Sequence, residues 1–187
     1  WIGHDFDGHH LFAICRDHHN GPGSWHVGDE DRWARLGIDL APWRANGDEI
    51  VILPQRSIGP RGVAMPRGWE HAVAARLKKR TDRPIRIRPH PGSPKTNPNT
   101  DPMPDLAHAW AAVTWGSGAA IKAIVGGVPV FHELERWIGA PAARFGIDQI
   151  EAPYLGDRLA MLRRLAWAQF TVAEVARGEP FAWLLKE

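Results

Sequence analysis

Residues Ala111–Phe131 read AAVTWGSGAAIKAIVGGVPVF, and three elements follow one another there with little between them. Ala111–Trp115 (AAVTW) has the short apolar run of a buried strand, and Ser117–Val125 (SGAAIKAIV) reads as a helix packed through its small residues. Gly126-Gly127 stops that helix, and Val128–Phe131 (VPVF) enters the next strand. Strand, helix and strand in that order make up the unit of a parallel α/β sheet. Ser117 is the natural N-cap, and the first N–H groups of the helix, at the positive end of its dipole, suit a phosphate. Gly116 and Gly118 have no Cβ, so a ligand can approach the backbone closely. A serine-glycine turn of this kind also occurs in α/β proteins that bind nothing, so the turn alone leaves both readings open.

About 25 residues upstream a second loop has the same setting. Pro84–Arg88 (PIRIR) alternates apolar and basic residues, as a strand with one buried face does, and Arg88-Pro89-His90-Pro91-Gly92 follows. The flanking prolines stiffen His90. A rigid imidazole at a strand end can donate to a phosphate oxygen or act as acid or base near neutral pH, and it can equally cap a turn. Loops at strand ends are where open α/β sheets bind ligands.

The order of strand, His-Pro, variable loop, short helix, strand, Ser-rich turn, small-residue helix and Gly-x-Pro-Val resembles the nucleotide-binding half of GT-B glycosyltransferases. It is most similar to the capsule-synthesis and sialyltransferase-like groups that use CMP-sugars. The resemblance covers Ile50 to Phe131 and implies that His90-Pro91 and Ser117 hold a donor nucleotide; Arg88, Gly116, Gly118 and Lys122 beside them complete the candidate donor-binding set. The segment from Glu151-Ala152-Pro153 through Trp167-Ala168-Gln169-Phe170-Thr171 resembles uncharacterised phage-encoded glycosyltransferase-like proteins. One departure concerns Lys122, which stands where many GT-B enzymes carry a glutamate for the donor ribose. A lysine cannot accept from two hydroxyls but can neutralise a phosphate, or it can be a solvated helix residue.

Length and composition fit one α/β domain or one and a half. Cys15 is the only cysteine of the 187 residues, so no internal disulfide forms and a reducing, cytoplasmic setting is the expectation. No apolar run is long enough to span a bilayer, and Asp5 and Asp7 near the start do not suit a signal peptide. A formal charge of +2 argues for no nucleic-acid partner by itself. Locally, Arg76, Lys78, Lys79, Arg80, Arg83, Arg86 and Arg88 cluster ahead of the His-Pro turn. Such a cluster can contact phosphates, with Lys78, Lys79 and Arg80 the candidate nucleic-acid contacts, or it can be a solvated helix end.

Elsewhere, Leu11–Cys15 and Glu49–Leu53 read as strands, and Gln55–Pro66 as a glycine- and proline-rich loop. A helix over Gly68–Arg80 sets Trp69, Val73 and Leu77 on one face. Ser93–Pro104 is a proline- and asparagine-rich loop that could close over a ligand. After Phe131 the expectation is helices: a short one at Glu133–Ile138, a longer one at Asp157–Phe170, and a capping box at Thr171-Val172-Ala173-Glu174.

The histidine-rich start, Trp1–Asn46, holds Asp5-Phe6-Asp7, which matches the Asp-x-Asp pair of metal-using glycosyltransferases. Its His and Asp spacing fits no defined zinc framework, so a divalent metal is possible but not favoured and no metal ligands are assigned. Asp5 and Asp7 are the leading base candidates, though they can equally be ordinary polar turn residues; Glu133, just past a strand end, is the second candidate. The resulting expectation is a Rossmann-like α/β parallel sheet of GT-B type over residues 47–187, ending in C-terminal helices, with a reduced acceptor-side segment over 1–46. No cofactor is tightly bound, and a nucleotide-sugar serves as co-substrate. The acceptor expected is a hydroxymethylated pyrimidine in phage-type DNA; the alternatives are a capsule-type saccharide, or a donor-binding subunit without activity that needs a partner chain. A homo-oligomer stays open.

Overall fold

A computed structural model describes residues 2–6, 9–16, 28, 31–91 and 101–185. The chain forms two units, Trp1–Asp39 with Asp157–Glu187, and Leu40–Gly156. The boundary expected between residues 46 and 47 therefore lies seven residues earlier. The C-terminal helices belong with the N-terminal segment and not with the parallel sheet. Mixed α/β architecture and a parallel sheet, as expected, are present.

The unit Leu40–Gly156 is built on five strands: β3 (Glu49–Leu53), β4 (Ile85–Ile87), β5 (Ala109–Thr114), β6 (Val130–His132) and β7 (Arg144–Phe145). They lie in the order β4-β3-β5-β6-β7, and every neighbouring pair is parallel. Counted within this sheet the order is 2-1-3-4-5, a doubly wound arrangement. β3 and β5 are central, which explains why EIVIL and AWAAVT are apolar nearly throughout; a strand covered on both faces cannot alternate.

Helices cover both faces. α2 (Trp69–Leu77) buries Trp69, Val73 and Leu77 against Ile50, Ile52, Ala111, Val113 and Phe131, so the face anticipated from spacing four is the one that packs. α3 (Ala119–Val125) buries Ala120, Ile121, Ala123, Ile124 and Val125. Among its described residues the crossover from β4 to β5 carries a 3-10 turn, Pro104–Leu106, whose Leu106 is fully buried.

In the first unit β1 (Ile2–Phe6) and β2 (His9–Ala13) pair antiparallel, and β8 (Gln169–Thr171) adds to β2. Around them lie α1 (Arg32–Leu36), α4 (Leu159–Ala166), α5 (Val172–Ala176) and α6 (Glu179–Leu184). The helix expected over Asp157–Phe170 ends at Ala166, and Gln169 and Phe170 are strand residues paired with Ala13 and Phe12. Phe170 is buried there, so tertiary pairing overrides the helical pattern. The capping box is present in both halves: Thr171 Oγ1 accepts from the Glu174 N–H at 3.2 Å, and Glu174 accepts from the Thr171 N–H at 2.7 Å.

Glu133–Ile138 is not helical. The Leu134 N–H instead donates to the Trp115 carbonyl at 2.7 Å, which draws the chain across the end of β5, and Gly139 and Pro141 lead into a 3-10 turn at Ala140–Ala142. Among the described residues no helix is long and apolar enough to cross a membrane.

Candidate functional site

In the order 2-1-3-4-5 the connections leave β3 and β5 toward opposite faces, the arrangement in which open α/β sheets place their ligands beyond the carboxyl ends of those strands. Leu53 ends β3 and leads to Pro54-Gln55-Arg56-Ser57. Thr114 ends β5 and leads to Trp115-Gly116-Ser117-Gly118. Arg88-Pro89-His90-Pro91 follows the neighbouring β4. The two sequence-identified loops thus emerge on one edge of the sheet, and the Ser117 loop stands at the switch point itself.

Hydrogen bonds hold these loops together. Thr114 Oγ1 donates to the Leu53 carbonyl at 3.1 Å and accepts from the Ser117 N–H at 3.0 Å. Trp115 Nε1 donates to the Val63 carbonyl at 2.8 Å, and Gln55 Nε2 reaches the Gly116 carbonyl at 3.4 Å. The Gln55 N–H lies 3.2 Å from the Met65 sulfur. The loop after β3 is therefore folded over the end of β5.

Several expected roles change in detail. Ser117 is 8% exposed, and its Oγ accepts from the Ala119 N–H at 3.2 Å. Gly118, not Ser117, occupies the cap position of α3, so the serine satisfies a leading N–H from one residue further out. Gly116 is closely packed, since a Cβ there would lie 2.7 Å from Leu134 Cδ2. Gly118 has ordinary right-handed angles, φ −61° and ψ −29°.

Arg88 is 7% exposed. Its Nε donates to Asp105 at 2.6 Å and its Nη2 to the Asp101 carbonyl at 3.2 Å. Lys122 stands 3.9 Å from the Asp101 carboxylate. Both cations therefore hold the segment that leads into β5.

His90 is half-buried. Burial, then the positive charges of Arg56 and Arg88, push its pKa below the usual histidine value. At neutral pH the ring is therefore uncharged, with one nitrogen able to donate and the other to accept. Pro91 beside it is half-buried; Gly92 lies outside the described residues.

Glu133 sits at the carboxyl end of β6, as expected, but its carboxylate is engaged. Trp69 Nε1 donates to Oε2 at 2.7 Å, and Arg76 Nη2 contacts both oxygens at 2.6 and 2.8 Å. This arrangement ties α2 to the β6 loop and leaves no oxygen directed at an acceptor. Asp5 lies on β1, opposite His10 in register. Asp7 lies outside the described residues.

The basic cluster is largely neutralised. Arg76 pairs with Glu133, Arg80 with Asp148, Arg83 with Glu151, Arg86 with Glu49 and Asp105, and Arg88 with Asp105. Lys78 and Lys79 are exposed and have no ion pair among the described residues. They follow the C-terminal end of α2, which the crossover from β3 to β4 carries to the amino edge of the sheet. Lys78, Lys79 and Arg80 are thus separated from the His90 and Ser117 loops by the length of the strands. A polar depression of about 460 Å³ lined by Arg80, Thr81, Asp82, Arg83 and Glu151 lies near them. Among the described residues, no group of three or more His, Cys, Asp or Glu side chains gathers as a metal site would.

Sequence reading passed over Gln55, Arg56 and Ser57. Their position after the first strand of the sheet was the available signal, because the first and third strands frame the crevice in this topology.

His132, at the end of β6, is 2% exposed, with Nδ1 3.1 Å from the Leu134 carbonyl and its ring between Trp137 and Phe145. Burial pushes its pKa down, opposed by the Leu134 hydrogen bond and the charge of Glu133. The unfolded chain takes a proton below about pH 6.5 that the buried ring refuses, so stability is complete above that value and falls as pH drops through it. His90 contributes with the same sign. Urea unfolding at pH values on either side of 6.5 measures the slope. His132→Gln should flatten it, and an unchanged slope would remove His132 from the account.

Compared with protein-family profiles, curated proteins and solved structures, the chain matches none.

Proposed function

We propose that Leu40–Gly156 binds a nucleotide-sugar at the carboxyl edge of its sheet and that the protein is a glycosyltransferase, passing the sugar to an acceptor hydroxyl. The observation that carries this reading is the emergence of the His90 and Ser117 loops together on that edge, with the Ser117 loop at the switch point of a 2-1-3-4-5 sheet. The resemblance of the same two motifs to those of GT-B enzymes supports it.

Glycosyl transfer needs a stabilised leaving phosphate and a base for the acceptor hydroxyl. A neutral imidazole at His90 can donate a hydrogen bond to a phosphate oxygen, and fixed donors of this kind stabilise charge that develops on a leaving group. Glu133 is bound by Arg76 and Trp69, so its carboxylate is already engaged and is not the base of this proposal.

The pairing of five arginines between Arg76 and Arg88 weakens the electrostatic case for a DNA acceptor and favours a saccharide. Transfer of labelled sugar to an oligosaccharide, with none to hydroxymethylated DNA, is the expected result; the reverse outcome restores the DNA acceptor. A donor-binding subunit without activity of its own would show donor affinity but no transfer to either acceptor.

Replacing His90 with alanine removes one phosphate contact. A hydrogen bond to a charged group is worth about 1.5–3 kcal/mol, so the dissociation constant should rise about tenfold or more while the protein stays folded. Calorimetry with CMP-, UDP- and GDP-sugars checks this. If wild type binds none of them, the glycosyltransferase reading is wrong.

A further inference from the structure

The loop after β3 carries three arginines. Among the described residues no carboxylate pairs with Arg56, Arg61 or Arg67, whereas Arg76, Arg80, Arg83, Arg86 and Arg88 all have acidic partners. Arg56 is exposed and follows the switch-point strand by three residues.

The backbone on either side of Arg56 is restrained. Gln55 before it is held to Met65 and Gly116, and Ser57 after it has φ +56°, the only positive φ of a non-glycine among the described residues. A left-handed non-glycine costs energy and persists where the surroundings impose it. Gln55 Oε1 is buried and has no hydrogen-bond partner among the described residues. With no room beside Oε1 for even a water molecule, that side chain anchors the loop, and Arg56 is the group left exposed to a ligand. The positive charge of Arg56 also acts on His90, which brings the loop after β3 and the His-Pro loop to one place.

We propose that Gln55-Arg56-Ser57 is a phosphate-binding loop, in which the Arg56 guanidinium pairs with a phosphate of the bound nucleotide and the anchored Gln55 fixes the loop that carries it. The inference rests on the nucleotide reading above and assigns the phosphate contact to the β3 side of the crevice. Lys122, the cation expected for that role, stands instead beside Asp101. A guanidinium suits this task because its planar N–H groups match two phosphate oxygens at once.

The test is calorimetry on the full chain with CMP, CDP, UDP, GDP, their nucleosides and inorganic pyrophosphate. For the nucleotide that binds, Arg56→Gln should weaken affinity about tenfold or more and reduce its salt dependence, while leaving the nucleoside unchanged. Arg56→Lys, which keeps the charge but loses the paired geometry, should recover part of the loss. Arg56 is exposed, so neither variant disturbs packing, and circular dichroism verifies this. If Arg56→Gln binds nucleotide as wild type does while His90→Ala does not, the nucleotide site stands and the phosphate loop is overturned. Pyrophosphate bound by wild type and lost in Arg56→Gln, with no nucleotide bound, keeps the phosphate loop and overturns the nucleotide reading. No binding of any probe overturns both.

Discussion

Arg32→Met is expected to destabilise the unit formed by Trp1–Asp39 and Asp157–Glu187 by about 3–5 kcal/mol, the usual cost of breaking a buried ion pair from one side. Arg32 is 6% exposed and bonds to three later parts of the chain. Its Nε donates to the Ala166 carbonyl and its Nη2 to the Gln169 carbonyl, both at 2.9 Å, and its Nη1 meets Glu174 at 2.6 Å. The guanidinium also lies over the rings of Trp167 and Phe170, 5.5 and 5.3 Å from their centroids.

Methionine can fill much of the space but supplies none of the donors. The end of α4, strand β8 and the cap of α5 would lose their common partner together. Burial alone would push the Glu174 carboxyl up, yet the hydrogen bonds from Arg32 and Thr171 and the Arg32 charge hold it below its ordinary value of 4.5. That part of the stability is present above pH 4.5 and lost as pH falls through the lowered value. Urea unfolding followed by tryptophan fluorescence reads the loss, since Trp33, Trp167 and Trp183 lie in this unit. A cycle with Glu174→Gln should show strong coupling. Additive single effects would mean that Arg32 acts through ring packing and not through the pair.

The second large effect is expected at Gly127. Its φ is +76°, and a Cβ there would lie 2.0 Å from the Pro42 carbonyl oxygen. The neighbouring chain cannot move away freely: the Ala41 N–H donates to Val125 and the Arg44 N–H to Gly127 itself, at 3.1 and 2.7 Å. Gly127→Ala therefore combines left-handed strain with a backbone clash, together roughly 2–5 kcal/mol. Gly146→Ala is the comparison, because its φ of +72° carries the strain while nothing lies within 4 Å of the added methyl. Thermal unfolding should show the Gly127 variant markedly less stable than the Gly146 variant. Equal losses would mean that the Pro42 segment yields and that conformation alone sets the cost.

Gly127 also marks how far sequence reading reaches. As a helix stop it was legible, because paired glycines after an apolar helical run have few other uses. Its close approach to Pro42 was not, since the two are separated by 85 positions of chain. The same division holds at the candidate site. Strands β3, β4, β5 and β6 and helices α2 and α3 were recognisable, β3 at its expected ends and the others with ends shifted by no more than three residues, because apolar pattern and local turn chemistry act over a few residues. Glu133 was correctly set at a strand end, but its ion pair with Arg76 joins residues 57 positions apart. No local pattern reports such a pair.

The basic run illustrates the same limit. Sequence counts seven cations between Arg76 and Arg88; folding supplies Glu133, Asp148, Glu151, Glu49 and Asp105 as partners for five of them. Whether a cluster of charge is available to a ligand depends on which carboxylates the fold brings beside it. That is also why Arg56, one arginine in an unremarked loop, becomes the more informative cation.

Local sequence by itself determined the parallel α/β character of Leu40–Gly156, since alternating apolar strands and small-residue helices separated by short turns have few other ways to bury their faces. Only the tertiary structure decided that the last thirty-one residues, Asp157–Glu187, return to the N-terminal segment. That choice rests on β8 pairing with β2 and on Arg32 reaching Ala166, Gln169 and Glu174. A strand of three residues and a buried arginine gain their stability from partners more than a hundred positions away, and those partners exist only once the chain has folded.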